Sequence, residues 1–177
     1  MRRGTAIAAL VIALGASGAA AYQLAAPPAQ QVAHWREIAW PFPRDGWPAG
    51  RAFRCDGACA GAELYVRAKR GFCNCDRGVA DDDEVDRVAD IDLISPRFVA
   101  IAPGEEVGIA ELRGRARRYH LGHSDGAAIG IAVSRHCDLF VAAAQGRGDA
   151  GTVQPAALAF LETQEMKRWT MAALDGR

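Results

Sequence analysis

The chain carries no net charge: 21 basic residues offset 21 acidic ones over 177 residues. A general nucleic-acid binder needs a basic surface to displace counterions from phosphates, so the balance excludes that class. No C-x-x-C pair is present, which removes the spacing used by thioredoxin-type thiol exchange. Internal repeats are lacking too, and so is any low-complexity tract beyond the first segment. From Arg3 to Arg36 there is no acidic or basic residue apart from His34.

That uncharged gap is the first positive signal. Arg2 and Arg3 precede a compact apolar run, Thr5 to Leu14, and then small side chains from Gly15 to Ala21. A basic start, an apolar centre and a small-x-small end (Ala19-Ala20-Ala21) describe an export signal cut before Tyr22. Kept uncleaved, Gly4 to Leu24 is long enough to anchor the chain in a bilayer with its basic end inside. No cysteine follows the apolar run, and the twin-arginine pattern is incomplete, so lipidation is not expected. Residues 1–21 are therefore read as signal peptide or membrane anchor, and Tyr22 to Ala33, with Pro27 and Pro28, as a flexible stalk. The expected location is the periplasm or the periplasmic face of the inner membrane.

Residues 34–177 have the length of one domain, and the composition, 50% hydrophobic and 24% charged, is that of a soluble globular protein. Trp35, Trp40 and Trp47 lie among Pro41, Pro43 and Pro48, an extended strap laid across the domain. Arg51–Arg54 and Ala62–Lys69 read as strands, the second with Leu64, Val66 and Ala68 on one face and Tyr65, Arg67 and Lys69 on the other. Asp81–Asp92 reads as one helix whose acidic first turn meets the positive end of its dipole, with Val85, Val88 and Ala89 facing inward. Strands follow at Phe98–Ala102, at Val107–Leu121 (bent or divided at Gly114), at Ala127–Ser134 and at Asp138–Ala144. A last helix starts with Pro155 in its first position, and its apolar spacing slips near Thr163. The fold class is α+β: one domain, an antiparallel sheet flanked by helices.

The order of these pieces, WPFPRDGWPAGRAF, then GRARRYHL, IGIAVSRHCDLFVAAAQ and ALAFLETQEMKRW, resembles the PsbP/Mog1-like domains. The resemblance implies an antiparallel sheet flanked by helices and a role in binding or assembling other proteins. It implies no functional residue.

Two motifs are present in letters but lack their context. Gly122-His123-Ser124-Asp125-Gly126 spells the nucleophile elbow G-x-S-x-G, which needs a strand before it and a helix after it. The residues that follow are strand-like, so a hairpin turn is expected. Gly146 to Gly151 spells G-x-G-x-x-G, but no later strand completes a βαβ unit. The acidic run Asp81–Glu84 lacks the alternating ligands and central glycine of a calcium loop. Arg113, Arg115 and Arg117 alternate along a strand, so they share a face that could meet an anion or a partner, or stay solvated.

Cysteines 55, 59, 73, 75 and 137 carry the remaining chemistry. In an oxidising compartment they are expected to form disulfides. The strand after Cys59 covers roughly 25 Å at about 3.3 Å per residue, while a disulfide tolerates about 7 Å between α-carbons. That separates Cys59 from Cys73. The favoured pairing is Cys55 with Cys59, and Cys73 or Cys75 with Cys137, leaving one thiol over. The alternative is a thiolate metal site, copper by preference, at Cys73, Cys75 and Cys137 with His136, with zinc binding or a thiol-redox role as further alternatives. No cofactor is otherwise expected. The leading expectation is a non-enzymatic envelope domain that binds a protein partner, touches the membrane only through an uncleaved leader, and does not bind nucleic acid.

Overall fold

The computed structural model describes residues 33–72, 77–79, 81–122, 126–147 and 150–176. The leader, and all but Ala33 of the stalk, lie outside the described residues. Among those described, no helix is long and apolar enough to cross a membrane.

Eight strands and four helices are found among the described residues. The strands are β1 (His34–Ile38), β2 (Arg51–Asp56), β3 (Glu63–Lys69), β4 (Phe98–Ala100), β5 (Glu105–Ile109), β6 (Leu112–Leu121), β7 (Ala127–Arg135) and β8 (Asp138–Gly146). The helices are α1 (Asp82–Val88), α2 (Ile91–Ile94), α3 (Ala150–Leu161) and α4 (Gln164–Leu174). Every strand pairing is antiparallel, in the order β1-β2-β3-β8-β7-β6-β4, and β5 shares the outer edge of β6 with β4. The α+β class expected from the sequence is therefore observed.

The central strands β7 and β8 are buried on both faces, which is why they read AIGIAV and FVAAA instead of alternating with polar residues. On one face α3 and α4 cover Phe53, Leu64, Val66, Ile129, Ile131, Val133 and Phe140. On the other, Val85, Val88 and Ala89 of the α1 region pack on Ala132, Leu139 and Val141, and Ile91 packs on Tyr119, Ala128 and Ala143. Gly130 makes this approach feasible, because a β-carbon there would stand 2.8 Å from that of Ala89. The strap packs through its aromatics, with Trp35 stacked on Phe160, Trp40 and Phe42 edge-on to Tyr65, and Trp47 edge-on to Phe72.

Four local expectations need correction. The start of the strap is itself a strand, β1, paired along β2 from His34↔Asp56 to Ile38↔Ala52. The expected helix Asp81–Asp92 breaks at Asp90, which adopts a left-handed conformation (φ 61°) and starts a separate short helix. The division of Val107–Leu121 falls at Ala110-Glu111 and not at Gly114. Those two residues have φ of 49° and 69° and form a two-residue hairpin, the mirror-image turn that suits the twist of paired strands. Gly114 instead marks a close approach, since a β-carbon there would come within 2.0 Å of the Ala132 carbonyl oxygen. Pro155 lies inside α3 and not at its first position. The slip near Thr163 is real: Thr163 caps α4 by accepting from the Met166 N–H.

Thr170, in α4, is fully buried, and its hydroxyl is the one buried side-chain polar atom without a partner among the described residues. Replacing an unsatisfied hydroxyl by a methyl of the same shape removes its desolvation cost. Thr170→Val should raise the unfolding free energy by about 1 kcal/mol, read from urea denaturation at unchanged m-value.

Candidate functional site

The polar face of β3 is the most densely wired part of the molecule. Arg67 and Lys69 are only 4% and 5% exposed, because β3 is an inner strand and the strap covers this face. Arg67 donates two bonds to Asp90 (2.6 and 2.8 Å) and two to Asp45 of the strap (2.7 and 2.9 Å). Lys69 Nζ donates to Asp90 (2.5 Å) and to the Val88 carbonyl, one of the unpaired acceptors at the end of α1. The Trp40 ring lies over Arg67, and those of Trp47 and Phe72 lie over Lys69. Two cations meet two carboxylates, and Arg67 gives two bonds to each carboxylate. The bond from Arg67 holds Asp45 down at about 2, with the Trp47 N–H assisting against burial. Burial works to discharge Arg67, but Asp90 and Asp45 more than offset it and push its pKa above the ordinary value.

A second cluster joins α1 to β6. Asp81 caps α1 through the Glu84 N–H. Asp82 accepts from the Gly104 N–H and from Arg115, and these bonds, in that order of weight, lower its pKa. Asp86 accepts from Arg117 and from the Tyr119 hydroxyl, both at 2.7 Å. Burial, then Asp86, pushes the Tyr119 phenol up. Most of the acidic run at the start of α1 is thus spent on capping and pairing.

The register places Arg113, Arg115 and Arg117 on one face, as the alternation required. They do not act as one stripe. Arg115 and Arg117 are clamped to α1 and to the carbonyls of Gly104 and Ala102. Arg113 is exposed and has no such partner among the described residues. It lines a cleft of about 620 Å³ with Arg77, Val79, Glu106, Arg115 and Ser134.

A larger open cleft, of about 790 Å³, lies beside the β2–β3 turn and the end of β8. Its side chains hold one another. Arg54 pairs with Glu63 at 2.6 Å, the Tyr65 hydroxyl donates to Glu63 at 2.5 Å, and Gln145 donates to both Glu63 and Tyr65. Burial raises the Glu63 pKa, but the Tyr65 and Arg54 bonds outweigh it and bring it below the ordinary value. Burial followed by the Glu63 bond pushes Tyr65 up. With Glu63 held down and Tyr65 pushed up, neither group of this pair is poised to exchange a proton near neutrality.

Cys55 and Cys59 are bonded across the β2–β3 turn, with α-carbons 6.2 Å apart, and both are fully buried. Cys137, at the tip of the β7–β8 hairpin beside His136, is also disulfide-bonded. Cys73 and Cys75 lie outside the described residues. Cys137 in this oxidised form offers no thiolate to the alternative metal set, and among the described residues no group of three or more His, Cys, Asp or Glu is placed to hold a metal ion. Ser124 of the G-x-S-x-G stretch is likewise outside the described residues, but the flanks Leu121 and Ala127 belong to adjacent antiparallel strands. That is a hairpin context. Gly146 ends β8, and the described chain after it is helical, so no βαβ unit forms around the second glycine motif.

The chain matches no family model and no curated protein.

Sequence reasoning missed Asp45, Asp90 and Arg77. Alternation along β3 looked half-exposed, and only the strand order reveals that its polar face is covered. Asp45 and Arg77 sit in irregular segments, where no periodicity marks them.

Two outcomes follow from these sites. Because Asp45 titrates lower in the folded chain than the usual Asp value of about 3.9, its contribution is full above that value and fades as pH falls towards 2. Asp45→Asn should therefore flatten the stability profile between about pH 4 and about pH 2 and leave its slope unchanged above about pH 5, as read by urea unfolding at stepped pH. With five cysteines and a bridge at both Cys55 and Cys137, unreduced protein should take up one thiol-alkylating group by intact mass and reduced protein five.

Proposed function

We propose that this chain is an exported, disulfide-braced domain that works by binding another protein and not by catalysis. The observation that carries the reading is where its ionisable groups go. Arg67, Lys69, Asp45 and Asp90, then Arg115, Arg117, Asp82 and Asp86, then Arg54 and Glu63 are each engaged in holding one element to another. The charges left over lie on the surface, where they can meet a partner.

Two further features support it. The leader has the form of an export signal or anchor, and bridges at Cys55 and Cys137 suit the oxidising space to which it would lead. The antiparallel sheet flanked by helices is what the resemblance to PsbP/Mog1-like domains implies, and that family mostly binds or assembles other proteins. The periplasm, or the periplasmic face of the inner membrane, is the proposed location.

The direct test is affinity capture from envelope fractions of the source cell, using the mature chain with its bridges intact. A reproducible, saturable protein partner is the expected outcome. Capture indistinguishable from an unrelated disulfide-bonded domain, or a stoichiometric metal in protein purified under reducing conditions, would overturn the reading.

A further inference from the structure

The cleft between the β5–β6 hairpin, the end of β7 and residues 77–79 holds a group of guanidiniums that the fold, among the described residues, has not fully used. Arg77 and Arg113 line it, both exposed and neither with an ion-pair partner among the described residues. Arg115, also in the wall, gives Nε and one terminal nitrogen to Asp82 and Gly104. A single carboxylate, Glu106, opposes the three, and it forms no ion pair among the described residues. With Arg115 already paired to Asp82, Arg77 and Arg113 face Glu106 alone, so the described wall carries an excess of one positive charge, although the chain as a whole is neutral. Like charges gathered in one cleft repel unless something from outside compensates them.

These cations are held on anchored backbone. Arg113 is a strand residue paired with Gly108. Arg77 is followed by Gly78, whose left-handed φ of 60° and contact with Ser134 leave no room for a side chain, since a β-carbon there would lie 2.2 Å from the Ser134 oxygen. The next residue, Val79, is buried and donates its N–H to that same oxygen at 3.2 Å. The Ser134 hydroxyl keeps its own proton for a second acceptor.

We propose that this cleft receives an acidic peptide segment of a partner protein, its carboxylates meeting Arg77 and Arg113 and its backbone lying beside Val79 and Gly108. The proposal rests on the protein-binding reading above and adds the site and the charge of the partner. A cleft of about 620 Å³ is far larger than one oxyanion, and its cations come from separate elements, which suits a segment carrying several carboxylates. Planar guanidiniums engage such groups through paired hydrogen bonds.

The test uses the full chain and a fluorescein-labelled hexaglutamate peptide, followed by anisotropy at low salt. Binding is expected, weakening as salt approaches about 0.15 M. It should fall about tenfold or more in the double variant Arg77→Glu, Arg113→Glu, and stay unchanged in Arg44→Glu, a surface arginine of the strap. Neither cleft residue is buried or, among the described residues, paired, so thermal unfolding should confirm that the double variant is folded, and Arg113→Ala alone should give an intermediate loss. No binding by the wild-type chain, or equal binding by the folded double variant, overturns the proposal. Displacement by inorganic phosphate at the peptide's own concentration overturns it in favour of a free oxyanion ligand. If the double variant still captures the same envelope partner as the wild type, the site is wrong while the protein-binding function stands. If neither captures one, that function fails by itself.

Discussion

The bidentate bond between Arg67 and Asp90 is the constraint on which the rest of this structure depends. It ties the middle of β3 to the turn between α1 and α2, two segments 23 residues apart, with Asp90 only 8% exposed. A buried guanidinium is costly to remove from water and is tolerated only when its donors are met. Here Asp45 takes the second side of Arg67, and Lys69 takes the remaining demand of Asp90. The price appears in the backbone. Asp90 is held in the left-handed region, worth of order 1–3 kcal/mol of strain for a residue other than glycine, and its carboxylate makes no capping bond for α2. That sacrifice is consistent with a carboxylate whose main task is to pin the helix pair against the sheet. Removing either Asp90 or Arg67 would leave the other buried charge undercompensated, a far larger loss than any exposed pair could make good.

The same solution recurs beside it in a weaker form. Seven residues of helix are too few to persist alone, so α1 needs help from its ends and sides. Asp81 satisfies its first turn, Lys69 reaches the carbonyl of Val88 at its last, and Asp82 and Asp86 lie one turn apart to meet Arg115 and Arg117. The spacing of four on the helix answers the spacing of two on the strand. Acidic residues clustered at the start of a short helix and basic residues alternating on a strand are thus halves of one device. The sequence displays both but does not show that they meet.

This limits what could be read in advance. The positions of most strands, the break at Thr163, the Cys55–Cys59 bridge and the inward stripe of α1 follow from periodicity, capping chemistry and chain length, all local properties. The strand order does not. It brings β8 between β3 and β7, and through that buries the face of Tyr65, Arg67 and Lys69 that alternation alone assigns to solvent. The hairpin at Ala110-Glu111 escaped for a different reason. Its turn has no glycine or asparagine to announce positive φ, and Gly114 nearby offered a false signal. There the Ala110 N–H donates to Glu162 at the end of α3, a long-range contact that helps a strained turn persist.

The division of the arginine stripe follows from the same geometry. The β6–β7 ladder begins at Gly114↔Val133, so Arg113 stands just past the last position paired with β7, on the part of the hairpin that overhangs the sheet. Helix α1 reaches Arg115 and Arg117 but ends its run of carboxylates before Arg113. A stripe of three identical side chains is therefore sorted by distance from one helix into two that hold the fold and one that faces solvent. Arg77 arrives beside the third from an unrelated segment, fixed by Gly78 and Ser134. An unpaired cation at the edge of a sheet is ordinary. Two of them, unpaired among the described residues and brought to one cleft by separate anchors in a chain that pairs its neighbouring arginines so thoroughly, make negative charge the natural complement of that cleft.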